Sequence, residues 1–264
     1  MQIEPAFEAF QPLHAAGKPQ VVWTTLVSDL ETPVSAYLKI AGSKSNAFLL
    51  ESVEGGAIKG RYSVLGMEPD LVWRCRGSVA EVNRRPGADR NAFSPLPDAP
   101  LAELRKLLAD SRIDIPDTLP PMAAGVFGYL GYDMVRQMEH LPNVPPDPLG
   151  LADALFIRPT VVLVFDAVKD QITVVTPVRP QPGQTAKQAY ERAVDRLVAV
   201  VDALDSPLDK QTPLPDHAEI MAGLVSNTSE ADYSAMVDRA KEYIAAGDIF
   251  QVVLSQRFST PFTL

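Results

Sequence analysis

Glu51 and Ser52, at the end of the apolar run Ala47-Phe48-Leu49-Leu50, could hold a small ligand. A strand with two adjacent large apolar residues, Leu49 and Leu50, is expected to be buried on both faces. Glu51 then falls where an ionised carboxylate needs a partner, since burial without one costs several kcal/mol. Ser52 adds a hydroxyl that both donates and accepts. A carboxylate for an ammonium, with a hydroxyl beside it, suits an amino-acid ligand. The same residues also read as a strand end with a surface glutamate and a turn serine, and the residues alone leave both readings open.

Other chemistry-bearing residues give weaker patterns. His14, His140 and His217 lie far apart and lack partners at metal-ligand spacing. Asp216-His217-Ala218-Glu219 falls in a stretch rich in Asp and Pro and reads as a solvated turn. Neither a G-x-S-x-G elbow nor a Walker loop occurs. Gly125, Gly128 and Gly131 recur every third residue, which is not a dinucleotide fingerprint and fits close backbone packing. The single cysteine, Cys75, alternates with Arg74 and Arg76, whose side chains point to the opposite face of a strand. A packed thiol is expected, and Trp23 and Trp73 read as core or half-buried residues.

Composition limits what these residues can serve. The 264 residues are 46% hydrophobic and 22% charged, which suits a folded globular chain. Lys and Arg total 24 against 33 Asp and Glu, giving a net charge of -9. Nucleic-acid and anionic-lipid binding rest on clustered Lys and Arg, so neither partner is expected. One cysteine excludes an internal disulfide framework. The N-terminus shows no basic region followed by an apolar one, and no apolar run approaches ~20 residues, so a cytoplasmic protein without a membrane span is expected.

The elements that must position the residues are marked by 24 prolines, which cluster between apolar stretches and act as joints. Thr32-Pro33 predicts a cap and first turn for a short helix ending near Gly42. Ala47–Val53, Gly60–Leu65, Leu71–Cys75 and Ser78–Val82 read as short strands broken by Gly66, Pro69 and Gly77. Leu101–Leu108 has helical spacing, Ala123–Leu130 and Ala152–Phe165 read as buried strand, and a hairpin turns at Lys169-Asp170 into Gln171–Val175. Tyr190, Ala193, Val194, Leu197, Val198, Val201 and Leu204 form one helical stripe. Tyr233 to Ile244 form another, starting at a Ser229 capping pattern and stopping at Gly247, with a strand expected over Phe250–Phe258. The pattern is α+β, mostly antiparallel sheet packed with helices. It divides into a domain over 1–205, a linker over 206–221 and the start of a second domain over 222–264.

Four segments occur in one order: NAFLLESVEGGAIKGRYSVLGMEPD, AAGVFGYLGYDMVRQMEHLP, LADALFIRPTVVLVFDAVKD and YSAMVDRAKEYIAAGDIFQVVLSQRF. Together they resemble the large subunit, component I, of anthranilate synthase from about residue 20 to the last residue. The resemblance implies conversion of chorismate and ammonia to anthranilate and pyruvate. It also implies Mg2+, a glutamine amidotransferase partner that supplies ammonia, and feedback inhibition by L-tryptophan. By the same resemblance the tryptophan site begins at Leu49-Leu50-Glu51-Ser52, with Leu50, Glu51 and Ser52 as effector residues. Gln251 matches a position that holds a lysine base in water-using relatives; an amide there suits an enzyme whose nucleophile is ammonia. The rest of the tryptophan pocket, the Mg2+ carboxylates, the catalytic histidine and the glycine-rich chorismate loop come after QVVLSQRF in that family. The chain therefore reads as an N-terminal part of the fold, without metal ligands, inert by itself and a partial tryptophan module. Aminodeoxychorismate synthase component I and a stand-alone amino-acid-binding regulator are the alternative readings.

Overall fold

A computed structural model describes residues 1–54, 58–208 and 217–261. The chain divides into two compact units, Met1–Leu208 and Asp209–Leu264. In order, the first unit contains α1 (Phe7–Ala15), β1 (Gln20–Val27), α2 (Pro33–Ile40), β2 (Phe48–Glu54), β3 (Ile58–Arg76), β4 (Val79–Asn83) and β5 (Ser94–Pro95). It continues with α3 (Pro100–Asp110), β6 (Phe127–Leu130), β7 (Ala154–Asp166), β8 (Gln171–Val178) and α4 (Ala186–Leu204). The second unit contains α5 (His217–Ala222), β9 (Val225–Ser226), α6 (Glu230–Ala246) and β10 (Phe258–Ser259). Among the described residues no helix is long and apolar enough to cross a membrane.

The first unit is built on one eight-stranded sheet whose pairs are all antiparallel. Its axis is the long pair β3–β7, which runs from Tyr62 opposite Asp166 to Cys75 opposite Ala154. Towards the first end of β3 the neighbours are β2 on one side and β8 then β1 beyond β7. Towards the other end they are β4 and β5 on one side and β6 on the other. The expected breaks at Gly66 and Pro69 are therefore not chain breaks. One strand of 19 residues passes through both, and the proline instead coincides with a register shift between Pro69 and Leu71. A bulge of this kind bends the strand and adds twist while keeping it in the sheet.

Apolar residues cover both faces of the strands at the β1–β2 end. Leu65, Met67, Val161, Leu163, Phe165 and Val174 pack with Phe10 of α1, Ile40 of α2 and Leu197 of α4. On the other face Val64, Val162 and Val164 meet Phe48, Met122 and Phe127. Trp73, Cys75 and Val82 pack under Leu104 and Leu107 of α3. The Cys75 thiol is fully buried, burial pushes its pKa up, and it is the packed thiol expected. Gly128 pairs with Phe156 so closely that a Cβ there would fall 1.9 Å from the carbonyl oxygen of Leu155. The glycine spacing thus serves backbone approach between strands.

The helices follow local signals. Thr32 caps α2 in a capping box with Ser35, and Thr185 caps α4 in another with Gln188. The stripe that α4 buries is Ala189, Ala193, Leu197, Val200 and Leu204, rotated from the expected one, and Val198 is exposed. Apolar residues occupy most of Val194–Val201, so packing against the sheet, rather than composition, selects the inward face. α1 and β1 have no counterpart in the sequence expectation; α1 carries Pro12 within it, which masks its helical pattern.

In the second unit α6 starts at Ser229, whose hydroxyl accepts from the backbone of Asp232 at 3.1 Å, and stops at Gly247 in the left-handed region. The expected strand over Phe250–Phe258 shrinks to Phe258–Ser259, paired with Val225–Ser226. Residues 251–257 find no partner strand among the described residues, and strand dihedrals without a ladder are not sustained. Of the expected linker over 206–221, residues 209–216 lie outside the described residues. From His217 the chain is helical, so of the turn expected over Asp216–Glu219 the residues from His217 on are instead the start of α5, and Asp216 lies outside the described residues.

Leu197 is fully buried against the sheet. Leu197→Ala is expected to destabilise the first unit by about 2–5 kcal/mol, as large-to-small core substitutions do. Urea unfolding followed by tryptophan fluorescence checks this, because both tryptophans, Trp23 and Trp73, belong to that unit.

Candidate functional site

Among the described residues β2 pairs with β3 alone, which makes it an edge strand. Alternation along it sends Leu49 into the helix-covered core and Leu50 the other way, where it is 53% exposed. The expectation of burial on both faces is therefore corrected: an edge strand has no neighbour to cover the outer residues. Glu51 pairs with Ser63 and is exposed, beside a cavity of about 460 Å³. The register shifts between Glu51 and Val53, so Ser52 lies at an irregularity of the β2–β3 ladder. The side chain of Ser52 is outside the described residues. Leu50 does not line the cavity.

Ser28, Glu31, Glu51, Arg61, Asp166 and Asp170 supply most of the polar wall. Two of the acids are already matched. Arg61 donates to Asp166 through two parallel bonds, Nε to Oδ1 at 3.0 Å and Nη2 to Oδ2 at 2.8 Å. That pairing holds the Asp166 carboxyl below its ordinary value; burial opposes it, and the backbone N–H of Val168 at 3.1 Å assists. Glu31 pairs with Lys39 and accepts from Ser35 Oγ at 2.7 Å. Lys39 in turn donates to the carbonyl of Leu204 at the end of α4 at 2.6 Å, a helix terminus that favours a cation. Glu51 and Asp170 make no side-chain hydrogen bond or ion pair among the described residues. The wall therefore presents unmatched carboxylates, which suit an ammonium, beside hydroxyls of Ser28, Thr32 and Ser63.

Arg61, Ser63 and Asp166 are absent from the sequence-level site. Arg61 and Ser63 stand within the segment NAFLLESVEGGAIKGRYSVLGMEPD that carries the resemblance, but Asp166 is 105 residues from Arg61. Only the β3–β7 register brings the two together. Gln251 belongs to the second unit, follows α6, is exposed and makes no hydrogen bond among the described residues. The described residues also offer no group of three or more His, Cys, Asp or Glu placed to hold a metal ion.

The family model described as chorismate binding enzyme matches residues 60–264. Anthranilate synthase component 1 of Cereibacter sphaeroides is 49% identical over 259 residues, which are 98% of this chain and 52% of that protein. The protein of the same name from Thermus thermophilus is 40% identical over 240 residues, covering 91% of this chain and 47% of the relative. The crystal structure of anthranilate synthase component I from Streptococcus pneumoniae superposes with a TM-score of 0.60 at 24% identity, covering 90% of this chain and 49% of that one. The chain thus spans about half the length of the relatives it matches, and the solved structure shows the same α+β fold.

The Arg61–Asp166 pair makes stability depend on pH. The folded-state pKa of Asp166 lies below its ordinary 3.8, so the contribution is present above that value and lost as pH falls through the folded one. Asp166→Asn is expected to lower the thermal midpoint at neutral pH and to flatten its decline between about pH 5 and pH 2. Melting curves of both proteins over that range check this.

Proposed function

Because the chain belongs to the chorismate binding enzyme family, we propose that it forms part of an enzyme acting as anthranilate synthase component I. The observation that carries this reading is 49% identity along 98% of the chain to a protein of that name. In the reaction ammonia bonds to the ring carbon of chorismate next to the carboxylate while the ring hydroxyl leaves from another carbon as water, and loss of the proton on the aminated carbon then expels the enolpyruvyl group as pyruvate, leaving anthranilate. A glutamine amidotransferase supplies the ammonia and Mg2+ assists. In this reading the chain contributes the effector segment Leu49–Ser52, and chemistry requires the further length that the relatives possess.

L-tryptophan is the proposed effector. Its ammonium suits the unmatched Glu51 carboxylate at the edge of β2, and the hydroxyl of Ser52 serves as the neighbouring polar contact. The cavity beside Glu51 supports this assignment by its size and by its excess of carboxylates. Gln251 is proposed near the ammonia step, because an amide in place of a basic lysine spares a nucleophile that needs no deprotonation.

The test uses anthranilate fluorescence with chorismate, Mg2+ and ammonium. The 264-residue chain is expected to give no signal. The chain joined to the part of the Cereibacter sphaeroides relative that it does not match is expected to give turnover that L-tryptophan inhibits. Ser52→Ala or Glu51→Gln in that joined protein weakens inhibition by about tenfold or more, the scale of a hydrogen bond to a charged group, about 1.5–3 kcal/mol. Turnover by the 264-residue chain alone would overturn the division of labour, and unchanged inhibition in both variants would overturn the effector assignment.

A further inference from the structure

A second cavity of the first unit, of about 410 Å³, shares no residue with the one at Glu51. Five arginines line it, Arg84, Arg158, Arg179, Arg192 and Arg196, against the single carboxylate of Asp70. Such an excess of positive charge in a chain of net charge -9 is a local concentration that the composition conceals.

The sheet builds the cluster. The register shift between Pro69 and Leu71 leaves Asp70 opposite no residue of β7, and its carboxylate meets Arg158. Arg158 Nε donates to Oδ1 at 2.7 Å and Nη2 to Oδ2 at 3.0 Å, so Asp70 is fully engaged by one arginine. Arg179, just past β8, donates Nη2 to the carbonyl of Ser111 at the end of α3 at 3.0 Å. Its Nε and Nη1 are shut off from solvent and meet no acceptor among the described residues. Buried guanidinium N–H groups ordinarily find acceptors, and leaving two of them without one is costly. Burial, reinforced by the charge of Arg158, pushes the Arg179 pKa down to about 10. Arg192 and Arg196 lie one turn apart on α4, where like charges repel. Neither they nor Arg84 makes a side-chain hydrogen bond or ion pair among the described residues, although Glu68 and Asp70 act on Arg196 through space.

We propose that this cavity is a binding site for a small oxyanion ligand carrying two negative charges, a phosphate or a dicarboxylate. The half-buried Arg179 is the inner contact, and Arg192 and Arg196 of α4 are the outer ones. Guanidinium forks match both groups in geometry, and the cavity has the volume of small-metabolite sites. An anion there would relieve the repulsion along α4 and offset the uncancelled charge of Arg179. Asp70 keeps Arg158 in place without cancelling the other four charges.

The experiment titrates the 264-residue chain with inorganic phosphate and with succinate at low ionic strength, by calorimetry, against sodium chloride at matched ionic strength. One-to-one binding of either ligand is expected, and the ligand that binds identifies the group recognised. At about five times its Kd that ligand raises the thermal midpoint by about 2–4 °C. Arg179→Leu is expected to abolish binding. Because Arg179 also holds the end of α3 through Ser111, the variant Arg192→Gln/Arg196→Gln carries the decision. With an unchanged circular dichroism spectrum it should bind at least about tenfold more weakly. Heats no larger than those of chloride, or an Arg192→Gln/Arg196→Gln protein that binds as tightly as the original, would overturn the site, as would binding of an acidic peptide where neither small anion binds. The same substitutions placed in the joined protein, with L-tryptophan inhibition as the readout, report on the separate Glu51 cavity, so the two assignments stand or fall independently.

Discussion

The antiparallel pairing of β3 with β7 fixes which face of the sheet every neighbouring residue of the first unit meets. Side chains alternate along a strand, so a one-residue slip in this register would send each buried residue to the wrong face. Leu65, Val161 and Leu163 reach the helix-covered core because of it, while Val64, Val162 and Val164 face Phe48 and Phe127. The strands at either end of the pair attach to a register already set, and α1, α2 and α4 close over one face.

Both cavities are consequences of that pairing at different points along it. Near the hairpin end, Arg61 on β3 meets Asp166 on β7, which removes one acid and one base from the wall and leaves Glu51 and Asp170 unmatched. At the bulge, Asp70 meets Arg158, and the remaining arginines are left in excess. The two sites therefore carry opposite charge within one acidic chain. What separates them is which ions the sheet register allows to pair, because a paired charge contributes little field while an unpaired one dominates its cavity.

Much of the architecture was legible in short stretches. Capping residues at Thr32, Ser229 and Gly247 and the hairpin before Gln171 each depend on neighbours within a few residues. The continuity of β3 was not, because Gly66 and Pro69 look like stops unless a long partner strand is present to hold the ladder through them. The inward face of α4 was misplaced by part of a turn, since an apolar run such as Val194–Val201 offers several stripes and only contact with the sheet chooses among them. The local pattern points Leu50 to the interior and leaves Glu51 open between interior and surface, because nothing local says that β2 is an edge.

The sequence by itself determined the α+β class, the order of the elements and the segment Leu49–Ser52 as a candidate, because these rest on local periodicity, caps and motif order. The tertiary structure alone decided the exposure of Glu51, the identity of its cavity neighbours and the arginine cluster at Arg179. Arg61 and Asp166 are 105 residues apart, and Asp70 and Arg158 are 88 apart. Pairings over such separations are set by strand register, bulge position and the packing of α4, none of which any short stretch of the chain encodes.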